Sequence, residues 1–81
     1  MNKNELLEIV EREVASRQPP GFRLNVSREG VRHEGSWWYV VVQPDGADVR
    51  LTDYRDILSS VENAVEDQTD ENLLLVPALP D

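Results

Sequence analysis

The chain contains no cysteine, which excludes a disulfide framework, a thiolate metal site and a thiol nucleophile. It has one histidine, His33, so a transition-metal centre would lack its usual nitrogen and sulfur donors. Its four glycines are all isolated, and no glycine-rich loop is present to cradle a phosphate. Apolar runs stop at about six residues, as in Trp37 to Val42, against the roughly 20 that a membrane-spanning helix needs. Met1-Asn2-Lys3-Asn4-Glu5 does not show the basic-then-apolar order of a signal peptide. Cations are scarce too: 8 Lys and Arg face 16 Asp and Glu, for a net charge of −8. These absences describe a small acidic chain, expected in a reducing cytoplasm, with no cofactor or metal and no membrane partner.

The negative charge is unevenly spread. Residues 1–21 carry three positive and four negative side chains, residues 22–51 four and four, and residues 52–81 one and eight. A field of this sign repels phosphate backbones and anionic lipid, so nucleic acid is not the first partner to expect. With 81 residues the chain supports one domain, spanning 1–81 with 77–81 as a flexible end, and a domain of this size buries only about 60% of its unfolded surface.

What the chain does have is periodicity. Leu6, Leu7, Ile9, Val10 and Val14 share one arc at helical spacing and predict an amphipathic helix over 5–17, with Asn4 as its cap and a Glu13–Arg17 ion pair at its rim. Pro19-Pro20-Gly21 ends it. Phe22, Leu24 and Val26 then alternate with polar residues, as in a half-buried strand. Val31 and His33 have the opposite parity, and one extra residue near Arg28-Glu29-Gly30, with Gly30 in an unusual backbone conformation, restores a common face through a β-bulge. Glu34-Gly35 is the expected hairpin turn. The Trp37-Trp38-Tyr39-Val40-Val41-Val42 run follows, the densest set of β-formers in the chain.

Pro44-Asp45-Gly46 marks a second turn, Val49 and Leu51 a short third strand with Asp48 and Arg50 outward, and Thr52 or Asp53 the cap of a second helix. Tyr54, Ile57, Leu58, Val61, Ala64 and Val65 keep helical spacing, and the carboxylates of Glu66 and Asp67 predict fraying of the last turn. Leu73-Leu74-Leu75-Val76, stopped by Pro77, predicts a last strand parallel to the third. The expected fold is α+β, a two-layer sandwich in the order α-β-β-β-α-β, with a four-stranded mixed sheet and both helices on one face. Its first five elements resemble double-stranded RNA-binding domains in order. The resemblance is one of topology alone, because Asp53-Tyr54-Arg55-Asp56 stands where those domains carry a phosphate-gripping lysine cluster.

Two helices cover one face of such a sheet, and the other is where function is expected. Parity places Trp38, Val40 and Val42 with Val31, Val26, Leu24 and Phe22 under the helices. Trp37, Tyr39 and Val41 fall on the open face, with Arg23, Arg32 and Arg50 around them and a cation–π contact from Arg32 to Trp37. Aromatic and arginine side chains are the types that concentrate binding energy. Three readings compete: cover from within the chain, by Leu74 and Val76 or by 77–80 folding back; a protein partner or a second copy; and single-stranded nucleic acid or a small ligand stacked on the same face. Catalysis has only a His33–Glu34 pair to draw on, and neighbouring strand residues point to opposite faces. Asp67, Asp70, Glu71 and Asn72 lack the spacing of a calcium loop. A non-catalytic protein-interaction module, self-association first, is the expectation.

Overall fold

A computed structural model describes residues 1–19, 21–46 and 49–78. The first helix, α1 (Lys3–Ala15), is capped by Asn2 rather than Asn4. Asn2 Oδ1 accepts the Glu5 N–H at 2.9 Å and its Nδ2 donates to Glu5 Oε1 at 2.8 Å, so cap and third helical residue hold each other. Leu6, Leu7, Val10 and Val14 form the buried stripe. The helix stops two residues early, yet Arg17 still reaches Glu13 at 3.4 Å and also donates to Ser60 Oγ at 2.8 Å. The expected ion pair therefore forms and reaches across to the second helix.

β1 (Arg23–Glu34) and β2 (Trp37–Asp45) are the antiparallel hairpin. Its turn is Gly35-Ser36, with Gly35 at φ +60°, as the first central position of a type II′ turn requires. Glu34 therefore pairs with Trp37, His33 with Trp38 and Arg32 with Tyr39, two residues along from the expected register. A slip of two keeps every side chain on its expected face, where a slip of one would invert them all. Trp38, Val40, Val42, Leu24 and Phe22 are accordingly buried, with Val26 and Val31 partly so.

The bulge is present but larger than expected. Between the Ser27–Val41 and Arg32–Tyr39 pairs, β1 advances five residues while β2 advances two, an excess of three instead of one. Both are odd numbers, so the parity switch is the same. Gly30 does not take a positive φ. It supplies room instead: a Cβ there would stand 2.8 Å from Val41 Cγ2, closer than packed carbons approach.

No strand forms at Val49–Leu51. Arg50 is the extended N-cap of α2 (Leu51–Thr69), without a side-chain cap, and Leu51 opens the helix; Asp48 lies outside the described residues. Two apolar positions make a weak ladder, whereas the Tyr54, Leu58, Val61 and Val65 stripe propagates helix back to Leu51. The sheet thus has three strands, not four, and the topological likeness to RNA-binding domains goes with the missing strand. At its other end α2 does not fray at Glu66. Asp70 in the left-handed region (φ 57°) returns its N–H to Glu66 O at 3.0 Å, and Thr69 Oγ1 donates to Val65 O and accepts the Glu71 N–H. These bonds outweigh the few tenths of a kcal/mol that exposed carboxylates cost at a C-terminus.

β3 (Asn72–Pro77) lies parallel to β2, from Trp37 opposite Asn72 to Val42 opposite Pro77. The order is β1-β2-β3, so β2 is the middle strand. Leu73 and Leu75 join the single buried cluster that both helices share with β1 and β2. Of the expected flexible end 77–81, Pro77 closes β3 and the Ala78 N–H bonds Val42 O at 2.9 Å; 79–81 lie outside the described residues.

Candidate interaction face

The uncovered face of the sheet is built by alternate residues of three strands. In β2 these are Trp37, Tyr39 and Val41, and the parallel register sets Leu74 beside Tyr39 and Val76 beside Val41. Trp37, Leu74 and Val76 are 42%, 44% and 37% exposed, and Tyr39 and Val41 are half-buried by their neighbours. Leu74 and Val76, expected as a cover for this face, lie in its plane and extend it. Chance alternation on a solvated sheet would place polar residues here.

Two of the three predicted arginines frame it. Arg32 stands with its guanidinium carbon 5.8 Å from the centre of the Tyr39 ring, on Tyr39 rather than Trp37 because the hairpin register lies two residues along. Arg23 is opposite Asp45 at the far end of the hairpin. Arg50 is not on the face, since the strand that was to carry it is the start of α2. Glu34 pairs with Trp37, so the four charged side chains in the paired register here are Arg23, Arg32, Glu34 and Asp45, which sum to zero.

Both sheet edges are partly closed by side chains that the sequence did not single out. On β1, the Gln18 amide accepts the Leu24 N–H at 2.9 Å and donates to Leu24 O at 3.1 Å, as a neighbouring strand would. The bulge then twists the rest of that edge, and Arg28 turns toward α1 to meet Glu11 at 2.6 Å, a charge contact without hydrogen-bond alignment. On β3, Glu62 Oε2 accepts the Leu75 N–H at 2.8 Å, and Pro77, two residues on along the same outward row, has no N–H to offer.

The predicted His33–Glu34 pair does not converge. His33 lies on the helix side of the hairpin, stacked on Trp38 with ring centroids 3.9 Å apart and planes 4° from parallel. Glu34 belongs to the opposite face. Trp38 Nε1–H donates to Glu71 Oε2 at 3.0 Å, and Asn72 Nδ2 donates to Ser36 O at 3.3 Å. Of the loop residues considered for calcium, Glu71 satisfies the buried indole, Asp70 closes α2 through its backbone N–H and Asn72 bonds the hairpin turn. Among the described residues no three His, Cys, Asp or Glu side chains gather, and no helix is long and apolar enough to cross a membrane.

The titration of Tyr54 is displaced. Burial pushes its hydroxyl above the ordinary 10.0. The hydroxyl sits between Val42 O at 2.8 Å and Ala78 O at 3.0 Å and ties α2 to the ends of β2 and β3. Comparison of the chain with known protein families, curated proteins and solved structures finds no match.

Proposed function

We propose that this chain is a non-catalytic protein-interaction module that binds through the open face of its sheet, in a cytoplasmic setting. The observation that carries the reading is the contiguous exposure of Trp37, Leu74 and Val76 around Tyr39 and Val41, on a face that neither helix covers. Each large apolar side chain left in water forgoes about 1.5–3 kcal/mol of burial, and a partner recovers it. Arg23 and Arg32 form its polar rim.

The competing occupant is a single-stranded nucleic acid, with bases stacked on Trp37 and Tyr39 and phosphates on the two arginines. Salt separates the two. Phosphate binding weakens steeply with ionic strength through counterion release, whereas apolar association does not. Titrating a fluorescently labelled poly-dT oligonucleotide into the protein at low and high salt is the test. Salt-sensitive binding lost in Trp37→Ser overturns the protein-binding reading; no binding at low salt supports it.

A further inference from the structure

Resting on that reading of the face, we infer that its occupant is a second copy of this chain, stacked open face on open face, and that lateral pairing through the partly closed sheet edges is disfavoured. Three observations converge on this.

The first is the state of the edges. A sheet that associates sideways needs a row of free N–H and C=O groups. Here Gln18 occupies both groups of Leu24, Glu62 occupies the Leu75 N–H, and Pro77 has no donor. An incoming strand must displace an amide on one side and a carboxylate on the other, and the carboxylate only accepts, so it offers nothing to the partner's carbonyls.

The second is charge. The whole chain carries −8, the paired charges on the open face sum to zero, and α2 alone holds five carboxylates against one arginine. Two copies repel each other at long range in any arrangement, but not equally. Edge pairing at β3 sets the two α2 helices side by side. Face stacking puts two sheets about 10 Å apart with a helix layer about 10 Å behind each, so the acidic layers are separated by roughly 30 Å. That is several times the Debye length of about 8 Å at physiological salt. On the neutral face a second copy meets less opposing charge than at the β3 edge, and Arg32 and Glu34, neighbours of Tyr39 and Trp37, can pair across it.

The third is size and self-complementarity. Three strands at about 4.8 Å spacing and about six residues in length give a platform of roughly 15 by 20 Å. A pair covers on the order of 600 Å² in total, below a standard stable interface and in the range of a weak one. It suits a weak symmetric dimer with Tyr39 and Val41 at its centre and Leu74 and Val76 beside them on the edge strand β3.

The experiment is sedimentation of the full chain from about 1 μM to 1 mM, at low and high salt, with three variants checked for native circular dichroism. The expected result is a monomer–dimer equilibrium that tightens severalfold as salt rises, the opposite of phosphate binding. Trp37→Ser with Leu74→Ser weakens it at least about tenfold, and Gln18→Ala with Glu62→Ala leaves it within about twofold. A dimer indifferent to the face variant, or one that the edge variant tightens more than tenfold, overturns the stacking. A monomer throughout overturns self-association while leaving a different protein partner for the face. Salt-sensitive poly-dT binding overturns the underlying reading itself. Trp37→Ser alone, exposed and on one strand, serves where the double face variant fails to fold.

Discussion

Trp37 and Trp38 are adjacent in sequence and sit on opposite sides of β2, one 42% exposed and the other 5%. The two faces they belong to are built from alternate residues of the same three strands; the covered one is largely apolar, and the open one carries an apolar patch on β2 and β3 beside the polar Arg23, Asn25, Ser27, Arg32 and Glu34 of β1. What distinguishes the two apolar surfaces is cover. Under the helices, Val40 and Val42 are fully enclosed and the indole N–H of Trp38 has found Glu71. On the other side the same β-branched and aromatic chemistry meets the bulge at Gly30 and the Arg32 guanidinium but no helix within the described residues. Among the described residues, the chain supplies a cover for one apolar patch and none for the other.

The largest expected effect tests the covered side. Trp38→Ser removes a stacked, hydrogen-bonded ring from under the hairpin and leaves Glu71 without its donor, and should cost about 3–5 kcal/mol. That is most of the stability of a domain this small. Urea denaturation checks it, and a near-native midpoint would mean that the two faces are not what their burial says. Gly30→Ala is next. The added methyl would stand 2.8–2.9 Å from two carbons of Val41, and such overpacking costs about 1–3 kcal/mol. A neutral result would show that the bulge shifts easily and that its close approach to the open face is unimportant.

Much of this comparison was legible in the chain itself. Periodicity located both helices, and parity sorted the strand residues, because each depends only on near neighbours and on which side is wet. The hairpin register missed by two without harm to the faces, since only odd slips exchange them. The third strand failed where two apolar positions, Val49 and Leu51, competed with a stripe of about three turns beginning at Tyr54. Helix ends were missed locally, as at the Asn2 cap and the Thr69–Asp70 closure of α2; the misses that shape the face are non-local. Leu74 and Val76 could not be placed on the open face until β3 was known to lie beside β2, which also took Arg50 off it. Gln18 and Glu62 serve as edge caps across gaps of 6 and 13 residues, and nothing in their local pattern marks them. A polar residue just beyond a helix that faces an edge strand is the signal worth looking for.

A smaller effect comes from the seam where α2 holds the ends of β2 and β3. Tyr54→Phe deletes the hydroxyl between Val42 O and Ala78 O and should cost about 0.5–1.5 kcal/mol. It should also change the pH profile. The folded chain holds the Tyr54 proton above the ordinary 10.0 because the ring is buried, while the unfolded chain releases it at its usual value. Below that pH the two states bind the proton equally and the contribution is complete. As pH rises past it, the unfolded state alone ionises and stability falls toward the folded value. Denaturation midpoints of wild type minus variant, at pH 8 and pH 11, isolate this residue from Tyr39. A difference that does not change with pH would remove burial as the cause.

The smallest effect on the fold is expected on the open side, and it is the sharpest test of the comparison. Trp37→Ser removes as large a ring as Trp38→Ser does, from the neighbouring position of the same strand, yet measured in dilute solution it should alter stability by no more than about 0.5 kcal/mol. Concentration turns this into a diagnosis. Anything that binds the folded chain and not the unfolded one raises the melting temperature by mass action. The melting temperature of the wild type should therefore climb with protein concentration and that of Trp37→Ser should not, the two meeting at the dilute end. If they remain apart by more than about 2 kcal/mol at the lowest concentration, Trp37 is packed within its own chain and the open face is not open.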